Sequence, residues 1–145
     1  MAISNVKAKL LLDLATITTV NGYNTTVKTV YGVPKFPNQV DATVCPAVCC
    51  YLAGATGKPF DEATRGFDLG FAVTIHVTVN DDIDLSGDME STLFKLYEDI
   101  VNLFNLQTTN TYKLDEVESI EVSEFFLETS GNKGWASMII KIGYK

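Results

Sequence analysis

Histidine is almost missing from this sequence, which has His76 and no other. A serine- or cysteine-type nucleophile needs a base within hydrogen-bond reach, so that chemistry is left with one conventional candidate. His76 stands between Thr74 and Thr78 in FAVTIHVTV, the setting of a surface or hydrogen-bonded structural histidine. Long apolar runs are also absent: none approaches the ~20 residues of a membrane-spanning helix. The opening stretch MAISNVKAKLLLDLATITTV has Asp13 inside its apolar part and no small-residue cleavage site, which argues against a signal peptide. Cysteine is confined to Cys45, Cys49 and Cys50 in TVCPAVCCYL. An odd, clustered set with no partner elsewhere does not make a disulfide framework and fits a reducing compartment. Nor does it make a zinc site, because four ligands are not at hand and adjacent cysteines in an extended segment face opposite ways. The three are expected to be small, mostly buried hydrophobes.

Basic residues are scarce where acidic ones gather. Residues 81–128 hold thirteen carboxylates against Lys95 and Lys113, a net charge of −11 in a chain of −7 overall. Such a block repels polyphosphate and disfavours a dedicated nucleic-acid binder. Four of the charges, Asp81, Asp82, Asp84 and Asp88, fall in NDDIDLSGD. They have some of the spacing of a calcium loop, but no glutamate closes it and Gly87 comes too late for the turn. Gly54-Ala55-Thr56-Gly57-Lys58-Pro59 is no phosphate loop either, since its glycines are too close and Pro59 stands where a hydroxyl belongs. No catalytic residue, metal ligand or cofactor site is assigned.

What is present is a pattern of elements in 145 residues, a length that suits one domain. A helix is expected from about Asn5 to Thr18, capped by Ser4, with Val6, Leu10, Leu14 and Ile17 on one face. Asn21-Gly22 marks a turn. Strands are expected over Thr25–Tyr31, Ala42–Leu52 (with Pro46 implying an edge or a bulge) and Phe71–Val79, and Ala53–Gly66 as a long polar loop. A second helix is expected over Met89–Asn105, with Asp88 as its cap and Leu93, Leu96, Tyr97, Ile100, Val101 and Phe104 as its apolar stripe. Phe94 and Leu103 fall off that stripe, so they either reach the core edge or meet another subunit. Val117–Leu127, with a bulge at Ser123-Glu124, and Trp135–Tyr144 complete the set. The expectation is an α+β fold of order αβββαββ, with both helices on one face of a mostly antiparallel or mixed sheet of about five strands.

That order resembles the tail terminator (tail completion) proteins of long-tailed bacteriophages. The resemblance spans nearly the whole chain and is carried by an N-terminal helix, NTTVKTVYGVP, a strand with a central proline, and FDLGFAVTIHVTV. A helix built on Glu90, Leu93, Leu96 and Ile100 and a last strand ending in Gly143-Tyr144 follow. It implies a structural virion protein, assembled in the host cytoplasm, that forms a ring, typically a hexamer. Its partners would be copies of itself, the tail tube protein and a head connector or neck protein, with only transient passage of DNA and no membrane, cofactor or catalytic residue. The cysteine-rich strand and the long Ala53–Gly66 segment depart from the family pattern. Within this reading Phe94 and Leu103 are candidate subunit contacts. Asn80–Asp88 is either a solvated loop or a wall of the lumen, where carboxylates would let DNA slide. A neck or head–tail adaptor of the same region is the neighbouring alternative. A small-ligand-binding α+β domain with a cleft near His76 is the alternative from another class.

Overall fold

The computed structural model describes residues 3–59, 65–78, 85–110, 117–130 and 133–144. They form two helices, α1 (Ile3–Leu14) and α2 (Leu85–Asn110), and six strands. The strands are β1 (Thr29–Tyr31), β2 (Ala47–Pro59), β3 (Arg65–Thr78), β4 (Val117–Val122), β5 (Phe126–Ser130) and β6 (Lys133–Tyr144). The order across the sheet is β1-β2-β3-β6-β4, and β5 also pairs β6. Only β1 and β2 run parallel; every other pair is antiparallel. The fold is therefore α+β with a mixed sheet, as the order of elements predicts.

Alternation in β3 decides which face is inside. Leu69, Phe71, Val73, Ile75 and Val77 are all buried, as are Ala136, Met138, Ile140 and Ile142 of the adjacent β6. These side chains share one core with Val6, Leu10, Leu14 and Ile17 from the N-terminal region and with Leu93, Leu96, Ile100, Leu103 and Phe104 of α2. Both helices thus lie on the same face of the sheet.

Several boundaries differ from those the sequence suggests, each for a physical reason. The first helix already includes Ile3, so Ser4 lies inside it rather than at its cap, and it stops at Leu14. The β-branched run that follows leaves the helix in a turn, with the Thr16 hydroxyl donating to the Asp13 carbonyl at 2.6 Å. Gly22, at φ 89°, ends the short 3-10 turn Thr19–Asn21 in the left-handed conformation glycine adopts without strain. Strand β1 begins at Thr29 because the Asn24 and Thr25 amides are committed elsewhere: each donates to the Asp99 carboxylate at 2.9 Å. Pro46 precedes the first residue of β2, and its carbonyl accepts from Lys28 at 2.9 Å.

The largest correction concerns Ala53–Gly66. Instead of a polar loop, its described parts continue β2 to Pro59 and begin β3 at Arg65, pairing Gly54 with Gly70 through to Pro59 with Arg65. Glycine, alanine and threonine give that stretch weak strand propensity; the long partner β3 supplies the ladder. In the C-terminal half, the expected bulge at Ser123-Glu124 is a full break, which makes six strands of the expected five. Ser123 stitches the gap, its amide donating to the Ile139 carbonyl at 2.9 Å and its hydroxyl accepting from the Ile139 amide at 2.8 Å.

Asp99 is a charge within this core region, 1% exposed, and three donors satisfy it: the two amides above and the Thr25 hydroxyl at 2.5 Å. Leaving those donors without an acceptor is costly. Asp99→Ala is expected to lose about 2–4 kcal/mol in urea unfolding, while Glu98→Ala, at the exposed neighbouring position, stays within about 0.5 kcal/mol of wild type.

Candidate functional site

The face opposite the helices is where functional surface can form. Parallel neighbours need a crossover, and here the connection from Gly32 to Pro46 carries the chain between β1 and β2. It folds as a strap over one end of the helix-free face. Val40 and Cys45 pack with Ala47 in a small second core, flanked by Tyr31 and Val44. Lys133 fastens the strap by donating to the Pro37 carbonyl at 2.9 Å, and Lys7 holds its start through the Gly32 carbonyl at 2.6 Å.

His76 sits beneath that strap and is 3% exposed. Its ring donates to the Lys35 backbone, whereas Nε2 is buried without a partner among the described residues. Burial pushes its pKa below 6.5, and the nearby Lys133 charge acts in the same direction. The space it shares with Pro37, Val40, Cys45, Thr78 and Lys133 is too small for a water molecule. The ligand cleft expected near His76 is therefore closed: the strap fills it, and the imidazole is a neutral, covered group rather than a base facing substrate.

All three cysteines are free and buried. Cys50 points into the main core and Cys45 into the small one, and burial raises all three thiol pKa values, that of Cys50 to about 12. They are packing residues, as the sequence suggests. Among the described residues, no three His, Cys, Asp or Glu side chains converge as metal ligands would.

Beyond the strap the helix-free face is open. Tyr51, Ala72, Thr74, Ser137 and Ile139 line a shallow groove of about 170 Å³, rimmed by Ser123, Glu124 and Phe126. Phe126 is 71% exposed. A wider depression of about 460 Å³ follows, lined by Asp68, Glu121 and Lys141 together with Leu69, Ile142 and Gly143. Alternation across the strand break explains the exposed ring. Phe125 turns to the helix side, stacking on Tyr97 at 4.2 Å and meeting the edge of Phe94 at 5.4 Å, so its neighbour Phe126 faces outward. The adjacent pair Phe125-Phe126 in an alternating strand was the sequence signal for this exposed residue.

The two off-stripe positions of α2 separate. Phe94 is 42% exposed and keeps free surface. Leu103 is 1% exposed and belongs to the core, so it is not available as a subunit contact. At about 100° per residue, Leu103 falls beside Leu96 on the stripe, while Val101 lies nearer the Phe94 side and is only half-buried. Asp88 is in the first turn of α2 rather than at its cap, because the helix begins at Leu85. Asp81, Asp82 and Asp84 lie outside the described residues, so the lumen-facing expectation rests on sequence alone. No family model matches this chain, and no curated protein matches it. Among the described residues, no helix is long and apolar enough to cross a membrane.

The buried histidine gives a pH prediction. An unfolded chain takes up a proton near pH 6.5, whereas the folded chain resists it to lower pH. Stability supplied by neutral His76 is therefore full above pH 6.5 and is lost as pH falls towards the folded-state value. Thermal midpoints between pH 7.5 and 5 should drop more steeply for wild type than for His76→Gln; parallel curves would count against a covered imidazole. In the native protein none of the three thiols should react with an aromatic disulfide reagent at pH 8, and all three should react in urea.

Proposed function

We propose that this chain is a structural ring subunit of a bacteriophage tail, a tail terminator that caps the tail tube and meets the head connector. The observation that supports this reading best is the element order: helix, three strands, helix, then the terminal strands. It is the order on which the resemblance rests. The surface is compatible with such a role. Both helices cover one face, which leaves part of the other, with Phe126, and the exposed part of Phe94 free for neighbours. A ring subunit needs lateral contacts as well as axial ones, and heterologous contacts that close by rotation generate such a ring.

Incubation of the purified chain with polymerising tail-tube protein tests the reading. The expected results are a ring-sized species, near six subunits by mass measurement, and tubes whose lengths stop increasing, with density at one end by electron microscopy. A chain that stays monomeric at high concentration and leaves tube growth unchanged overturns it. Capture by a neck protein without any effect on tubes favours the adaptor alternative.

A further inference from the structure

The sheet ends in two unlike edges. On one side β1 covers β2 only from Ala47 to Cys49, so among the described residues Cys50–Pro59 of β2 has β3 as its single neighbour. Its register is interrupted once, between Leu52 and Gly54, and then runs regularly to Pro59. The result is a long arm of β2 with one free edge, backed by β3 and, from Phe67 onward, by β6 behind it. Natural edge strands are blunted by charge, proline or a covering element. The arm strand LAGATGKP has no charge before Lys58 and no proline before Pro59, and Leu52, Ala53, Gly54, Ala55 and Gly57 are exposed. Small side chains there let another backbone approach closely.

On the opposite side, among the described residues, β4 and β5 pair with β6 alone. This edge is strongly acidic: Glu121, Glu124 and Glu128 are exposed, Glu118 lies in the same segment, and residues 117–130 hold no basic residue. The arm strand Leu52–Pro59 has Lys58 and no acid. The two edges thus differ in charge sign and lie at opposite ends of one sheet.

We infer that the free edge of β2 in one copy adds as a strand to the β4–β5 edge of a second copy. This inference deepens the ring reading above and rests on it. Such a contact is heterologous, uses each edge once per subunit and removes both edges when the ring closes. Arm-to-arm pairing between two copies would bring the lysine-bearing strands together and leave the acidic edge open, so the charges favour the head-to-tail arrangement.

Charge reversal separates the outcomes. Lys58→Glu, and separately Glu121→Lys, Glu124→Lys and Glu128→Lys combined, alter positions along the two edges of the sheet, and retained thermal midpoints check that the monomer still folds. Each should raise the concentration needed for assembly by about tenfold, and combining all four changes should restore it to within about threefold of wild type. Hydrogen exchange supplies a backbone readout: amides within Leu52–Lys58 and Val117–Val122 should be protected in the assembly and exchange faster in dilute monomer. Wild-type assembly with unchanged variants and no added protection overturns the edge pairing while leaving the ring reading in place. A wild-type chain that never associates overturns both.

Discussion

A single buried carboxylate ties the helical layer to the start of the sheet. Asp99 projects from α2 and accepts from the Asn24 and Thr25 amides and the Thr25 hydroxyl, so the connection between α1 and β1 is held against the second helix. The consequences run along the backbone. With residues 24–25 fixed, Val27 donates to the Ile17 carbonyl and Lys28 to that of Pro46, both at 2.9 Å. Pro46 adjoins the first residue of β2, so the register of the parallel pair follows from the clamp. A lone buried charge would oppose folding; with three donors on its oxygens it instead fixes which segments meet.

The sequence was most legible where a periodic apolar pattern met a real core. The alternation of Phe71, Val73, Ile75 and Val77 marked the central strand, and Val6, Leu10 and Leu14 marked the first helix, because burial on one face writes itself into spacing. It was least legible where structure depends on a distant partner. The arm strand Ala53–Pro59 looks like a loop because its residues have little intrinsic strand preference, and its order comes from β3. The role of Asp99 was invisible for the same reason, since its ligands are far away in the chain. His76 looked half-exposed on a threonine face; nothing local signals that the Gly32–Pro46 strap returns to cover it. Leu103 shows a smaller error, one of angle: the stripe of α2 is centred closer to Leu96 and Ile100 than to Val101.

The two faces of the sheet obey different rules. The helix side is a continuous apolar core. On the other side polar and apolar residues are mixed, the strap closes one end around His76 and Cys45, and the remainder offers Phe126 and a charged depression lined by Asp68, Glu121 and Lys141. An antiparallel sheet with helices on one face commonly leaves the other to solvent. An exposed aromatic there, beside the break that Ser123 bridges, is what sets this face apart from ordinary solvated surface.

The placement of β6 also bears on how the protein is made. It lies between β3 and the β4–β5 pair, yet it is the last of the six strands in the chain. The β2–β3 hairpin joins neighbours in sequence and can close early, whereas pairing Phe67 with Tyr144 must span all of α2, β4 and β5. During translation β3 therefore waits with its inner edge unpaired, and α2 and β4 are synthesised before the strand that completes their floor. The interval before β6 leaves the ribosome is the period in which the nascent chain displays a long apolar strand edge, so elongation through the last strand governs its exposure to misassociation.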